Sequence, residues 1–178
     1  MVLFFSRLLC YTLPEVIVMT RWIIRPMLQK DAWEISRWKY EGIYAFYNHM
    51  DESAPPEFLE ASLEDSFVVC CNDGQIIGHF HFGEDGRIPT EEKNVYPPDY
   101  LDIGLGMRPD LCGKGNGAEF VKMGLAFAKE KYDTNRFRLS VAAFNERAIK
   151  VYERSGFVKR LQVTNAYFKN QFYIMTTV

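Results

Sequence analysis

The chain has 178 residues, 48% of them hydrophobic and 15% aromatic, enough for one substantial core. Lys and Arg number 21 against 23 Asp and Glu, for a formal charge of -2, and no concentrated basic run offers phosphate contacts, which argues against a nucleic-acid partner. The four cysteines, Cys10, Cys70, Cys71 and Cys112, form no CxxC pair and have no histidine at zinc-finger spacing, which argues against a structural metal and for reduced thiols in a cytoplasmic protein.

Residues 1–18 are apolar, but Arg7, Pro14 and Glu15 break the run. It is too short for a membrane span and lacks the basic start and cleavage site of a signal peptide. A well-organised strand opens directly after Met19, so 1–18 is expected to be an extension ahead of the native start, and 19–178 a single domain.

Arg21 to Met27 reads as a strand, and Asp31 to Tyr40 as a helix capped by Asp31, with Ala32, Ile35, Trp38 and Lys39 at helical spacing. An aromatic stretch follows Gly42, with Tyr44, Phe46, Tyr47 and His49, and Pro55 and Pro56 open a second short helix through Leu63. Ser66 to Asn72 and Gln75 to Gly83 flank Asp73-Gly74, the strongest hairpin signal in the chain, and are expected to pair antiparallel. Cys70 and Cys71 leave such a strand on opposite faces, which disfavours a bond between them. His79 and His81 share one face; two exposed histidines are the commoner reading, with a proton path or a metal pair as alternatives.

Glu84 to Pro98 is a polar, proline-rich loop. Tyr100 to Met107 is a strand ended near Pro109, and Gly113 to Gly117 leads into a helix over Ala118 to Lys131, with Val121, Leu125 and Ala128 opposite Glu119, Lys122 and Lys129. Arg136 to Ala142 is a strand, Asn145 to Ser155 a helix closed by Gly156, and Phe157 to Val163 and Gln171 to Thr177 are the last strands. A hairpin early and alternating strands and helices later imply an α/β fold, a mixed central β-sheet with helices on both faces.

Two segments carry chemistry. In Cys112-Gly113-Lys114-Gly115-Asn116-Gly117, three glycines alternate where a strand passes into a helix, so backbone amides at the helix start can close around an anion such as a pyrophosphate. The spacing fits neither a Walker loop nor a Rossmann turn, and alone it is equally a flexible connection. Downstream, Asn145, Ala148, Ile149 and Tyr152 lie along one helix face; alone, they read as a cap and a core aromatic.

Together these segments resemble the GNAT (GCN5-related N-acetyltransferase) family. Its Arg/Gln-x-x-Gly-x-Gly/Ala motif aligns with Cys112 to Gly117, and its Asn-x-x-Ala-x-x-x-Tyr-x-x-x-Gly-Phe motif is complete at Asn145, Ala148, Tyr152, Gly156 and Phe157. Cys112 stands where Arg or Gln is usual. The resemblance implies the GNAT fold and an N-acetyltransferase that moves acetyl from acetyl-CoA to a primary amine by direct attack, without a metal. It also implies roles: backbone of Leu105 and Met107 for the pantetheine arm, amides of Gly113 to Gly117 (Cys112 and Asn116 within or beside that loop) for the pyrophosphate, added charge from Lys114, and a cofactor hydrogen bond from Asn145. Tyr152 would protonate the departing thiolate, and Asp102 lies near where some members carry a carboxylate base.

Tyr44 and Tyr47 are the expected substrate contacts, with Tyr40, His49 and the Glu84 to Pro98 loop as further candidates. Asp51, Glu52, Glu57 and Glu60 favour a small cationic amine. A non-catalytic acetyl-CoA-binding module and a protein N-terminal acetyltransferase are the alternatives, and a monomer or homodimer without membrane attachment is expected. Cys112 as an acyl-carrying nucleophile would need a thiol made acidic by the helix end, and no histidine is placed by the sequence to activate it.

Overall fold

A computed structural model describes residues 22–48 and 63–178. The expected extension at 1–18, His49, the helix expected from Pro55, and the acidic side chains of Asp51, Glu52, Glu57 and Glu60 lie outside the described residues. Seven strands, β1 (Trp22–Pro26), β2 (Ser66–Cys71), β3 (Ile76–Phe82), β4 (Leu101–Met107), β5 (Phe137–Ala142), β6 (Phe157–Thr164) and β7 (Gln171–Thr177), form one sheet in the order β1-β2-β3-β4-β5-β7-β6. All neighbours are antiparallel except β4 and β5. The described α-helices are α1 (Gln29–Ser36), α2 (Gly117–Tyr132) and α3 (Glu146–Arg154). None is long and apolar enough to cross a membrane.

Asp73-Gly74 turns the chain as its composition predicts: Gly74 takes φ +86° and donates its N–H to Cys71 O at 2.9 Å. Both faces of the resulting hairpin are covered, which is why β2 and β3 are buried almost throughout rather than at alternate residues. On one face Met27, just ahead of α1, and Ala32 and Ile35 of α1 pack against Val68, Cys70 and Ile76. On the other, α2 and α3 pack on Phe80, Ile103, Leu139 and Val141.

Missing side chains set the distance between α2 and the sheet. A Cβ at Gly124 would fall 2.3 Å from the Phe80 ring and one at Gly78 would fall 2.4 Å from Phe120. The two glycines thus leave room for those rings to stack, with centroids 4.6 Å apart. Gly117 plays the same part between helices, since its Cβ would meet Val151 at 3.0 Å.

α1 is shorter than its periodicity suggests. Asp31 lies in its first turn rather than ahead of it, accepting the Leu28 N–H at 2.8 Å and pairing with Arg25. The helix ends at Ser36, and Asn48 captures both the N–H and the C=O of Tyr40 at 2.7 and 3.1 Å. Trp38 and Tyr40 are thereby released from the helix into an aromatic wall continued by a 3₁₀ turn at Gly42–Tyr47.

The loop after β3 is pinned. The Tyr96 hydroxyl bridges the N–H and C=O of Ile88 at 3.2 and 3.0 Å and reaches Ser140 at 3.2 Å, over a buried Val95. Cys70, Cys71 and Cys112 form no disulfide.

Candidate active site

The parallel pair β4 and β5 share only three register positions, Leu101 with Phe137, Asp102 with Arg138, and Ile103 with Leu139. Beyond Ile103, β4 stays paired with β3, as Gly104 with His81 through Met107 with Gly78, while the rest of β5 pairs with β7 alone. The sheet is therefore split from Gly104 onward. Alternation decides which backbone groups face the split. Arg108 donates its N–H to Ile77 O on β3 at 2.8 Å, and Leu101 donates to Arg136 O on the β5 side at 2.9 Å. Even-numbered residues of β4 thus direct their backbone groups to β3 and odd-numbered ones to β5, which aims those of Leu105 and Met107 into the gap. One of these groups is already engaged: Met107 O accepts the Tyr40 hydroxyl at 2.9 Å.

A 3₁₀ turn at Pro109–Leu111 leads from β4 into the glycine loop. Gly113 and Gly115 take φ +74° and +85°, a left-handed conformation that L side chains resist, and the space beside Gly115 is open. Asn116 holds the loop to Leu111 O at 3.4 Å and precedes α2 as its N-cap. Alternating left-handed glycines at a helix start are the kind of arrangement that receives anions. Lys114 is exposed beside it.

Asn145 caps α3, accepting the Ala148 N–H at 3.1 Å, and its amide donates to the Tyr47 hydroxyl at 3.1 Å. Tyr152, on the same helix face, is 8% exposed and packs edge-on against Phe157. Burial, then the neighbouring phenols of Tyr47 and Tyr40, raises its pKa and keeps it protonated at neutral pH. Its hydroxyl makes no hydrogen bond to the described residues, yet no fully buried side-chain oxygen or nitrogen among them lacks a partner. The Tyr152 hydroxyl therefore opens on reachable space.

Cys112 is not set up as the acyl-carrying nucleophile that the sequence already disfavours. Its thiol points at the carbonyls of Met107 and Arg108, 3.5 Å from each, and burial pushes its pKa up despite nearby Arg147. A protonated thiol tied to carbonyls is no nucleophile.

Asp102 is likewise committed elsewhere. It is 2% exposed and forms a fork with buried Arg138, Nε to Oδ1 at 2.5 Å and Nη2 to Oδ2 at 2.8 Å, while Arg87 Nε donates to Oδ2 at 2.8 Å. Arg138 also donates to Pro97 O at 2.9 Å. With three charged N–H groups on its two oxygens, taking an amine proton would break an ion pair in the core. The geometry speaks for Asp102 as a structural anchor and against it as the base.

His79 and His81 are not the exposed pair expected of a half-solvated sheet, because α1 and the segment after it cover that face. His81 is 3% exposed and the two rings are hydrogen-bonded at 3.0 Å. Among the described residues no group of three or more His, Cys, Asp or Glu is arranged to hold a metal.

Sequence reasoning passed over Arg147. Its guanidinium lies 4.1 Å above the Tyr44 ring, and its Nη1 stands 3.5 Å from where a Cβ on Gly113 would be. The signal was Cys112 itself: a motif that lacks its usual cation leaves a place for one from another element. Tyr44 and Tyr47 line the same wall, Tyr47 at 5.9 Å from Phe144 and 6.2 Å from Tyr40.

A model of the Acetyltransferase (GNAT) family matches residues 28–157, and no curated protein matches. Among solved structures, a chimera of the Vibrio cholerae spermidine N-acetyltransferase SpeG and hSSAT superposes with a TM-score of 0.68 at 18% identity, covering 89% of this chain and 96% of that one. A GNAT-family acetyltransferase from Bacillus anthracis gives 0.67 at 16% identity, with 89% and 95% covered. The Vibrio cholerae spermidine N-acetyltransferase in complex with CoA and spermine gives 0.61 at 16%, with 88% and 94% covered. At these identities the likeness is one of fold.

Proposed function

The chain belongs to the Acetyltransferase (GNAT) family, and from that premise we propose that residues 19–178 form one catalytic domain moving the acetyl group of acetyl-CoA to a primary amine by direct attack in a ternary complex. The observation that carries the reading is the split between β4 and β5, with the glycine loop at one end and the Tyr152 hydroxyl opening beside it. The residues suit acetyl-CoA, whose thioester supplies the activated acyl group. Leu105 and Met107 offer strand-like backbone bonds to a pantetheine arm. The amides of Gly113 to Gly117 suit a pyrophosphate.

In this reading Tyr152 holds a proton where a thiolate departs, and its raised pKa keeps that proton in place beforehand. Asn145 orients α3 against Tyr47 and keeps its amide near the gap. Trp38, Tyr40, Tyr44 and Tyr47 present aromatic faces that favour a cation, which supports a small cationic amine as acceptor. A fold neighbour crystallised with CoA and spermine points the same way.

Calorimetric titration of the purified protein with acetyl-CoA, against adenosine diphosphate and NAD, tests the reading. Selective binding of acetyl-CoA is expected, followed by amine-dependent release of free thiol with spermidine as the first acceptor. A well-folded protein that ignores acetyl-CoA would remove the proposal.

Arg147 provides a second test. If its guanidinium replaces the charge that Cys112 lacks, Arg147→Ala should weaken acetyl-CoA binding about tenfold, an ordinary loss for one charged contact to phosphate. The same change should leave binding of acetyl-pantetheine, which has no pyrophosphate, untouched. Equal losses for both ligands would mean that Arg147 acts only by bracing Tyr44.

A further inference from the structure

An attacking nitrogen must shed a proton as it acylates, and Asp102 is bound up in the core. The strand on the other side of β4 carries an unused group. Ser66 Oγ on β2 lies 2.8 Å from His81 Nδ1, and His81 Nε2 lies 3.0 Å from His79 Nδ1, both histidines standing on β3. The last nitrogen of this chain, His79 Nε2, reaches across to β4: a Cβ added to Gly106 would fall 2.3 Å from it. Glycine at 106 therefore lets the imidazole lie over the β4 backbone between Leu105 and Met107, at the open half of the split.

One end of the row is enclosed, with Ser66 fully buried and His81 nearly so; the other is not. His79 Nε2 has no hydrogen-bond partner among the described residues, and no fully buried side-chain nitrogen there lacks one. The nitrogen thus meets reachable space, and the Trp38 ring flanks the imidazole with centroids 5.9 Å apart. Among the described residues, the groups facing the pair are Ser66 from β2, Trp38 from the segment after α1, Asp85 from the turn after β3, and glycine backbone from β4. Of these only Asp85 carries charge, and it acts on His81. Burial, with the neighbouring His81, holds the His79 pKa well below the ordinary value, and burial lowers that of His81 to about 4. Both rings stay neutral through the physiological range.

We infer that His79 Nε2 is the general base that takes the proton from the attacking amine, and that His81 and Ser66 are positioning residues that fix its tautomer from behind. The inference rests on the proposed acetyl transfer. A base needs a bare lone pair at Nε2, so His79 carries its hydrogen on Nδ1 and donates it to His81 Nε2, while His81 Nδ1–H donates to Ser66 Oγ. As the nitrogen bonds to the acyl carbon, its N–H bond breaks and a hydrogen forms on His79 Nε2. The carbon–sulfur bond breaks and the sulfur receives the Tyr152 proton. His79 then releases its proton to solvent and Tyr152 regains one, so the balance is amine plus thioester to amide plus thiol.

The test uses the full chain, whose histidines number 3, so ring resonances are assigned with His79→Gln and His81→Gln. Two-bond nitrogen–proton correlation spectra between pH 5 and 8 should show His79 neutral, with hydrogen on Nδ1. A ring protonated on Nε2, or titrating near 6.5, would overturn the base role without any assay of turnover. With acetyl-CoA and spermidine, His79→Gln should lose about 10²- to 10⁴-fold in kcat at unchanged acetyl-CoA affinity, and added imidazole should restore part of the rate of His79→Ala. A folded His79→Gln that keeps the wild-type rate overturns the inference alone. Wild-type protein that binds acetyl-CoA but acetylates no amine overturns the proposed function and the base role with it.

Discussion

Asp102→Ala is expected to destabilise the fold by about 3–5 kcal/mol, the usual result of removing one partner from a buried ion pair. The alanine would leave Arg138, 1% exposed, with its charge in the core and only Pro97 O still accepting from it, and it would unhook Arg87 from its principal acceptor. Urea unfolding should show a lower midpoint at an unchanged slope. Replacing the pair together, Asp102→Leu with Arg138→Met, should recover much of the loss, because the penalty comes from the stranded charge more than from the absent attraction. A general base in this position would behave otherwise, giving a stable protein with a depressed rate. A stable, slow Asp102→Ala variant would restore the carboxylate to the chemistry and displace His79 from it.

Tyr152→Phe is the second large effect, and it should fall on rate alone. The hydroxyl has no hydrogen-bond partner among the described residues, so its removal strands no donor or acceptor, and the phenyl ring keeps its edge contact with Phe157 at 6.1 Å. Stability and acetyl-CoA affinity should hold while kcat falls by about 10²- to 10⁴-fold, the span of a lost proton donor. The two outcomes form a contrast: Asp102 costs the fold, Tyr152 costs the turnover. Wild-type turnover by Tyr152→Phe on an accepted amine would remove the donor role.

Features written in a few consecutive residues were legible beforehand. Asp73-Gly74 set the hairpin, the alternating glycines set a strand-to-helix loop of left-handed residues, and Asn145 to Tyr152 lay on one helix face because helical spacing is local arithmetic. What was not legible depends on partners distant in sequence. Nothing near Asp102 reveals that Arg138, 36 residues on, will fork onto it. His79 and His81 read as exposed because strand alternation does not tell which face will be covered, and here Trp38, from the segment after α1, packs over theirs. The early end of α1 is set by Asn48 gripping Tyr40 across eight residues, a bond with no signature in helical periodicity. Arg147 went unnoticed because its place over Tyr44 follows from how the 3₁₀ turn docks.

The three-rung seam between β4 and β5 has a mechanical side. Within the sheet, strands β1 to β4 and strands β5 to β7 are riveted together at three positions, and the middle rung of that rivet is the Asp102 and Arg138 pair itself. From Ile103 to Met107 the free blade of β4 runs four residues, roughly 13 Å at strand rise, so a small rotation at the joint is magnified at the lip. Widening the proposed acyl slot from the rivet therefore calls for a replacement clamp, such as Asp102→Leu with Arg138→Met, and not for removal of the pair.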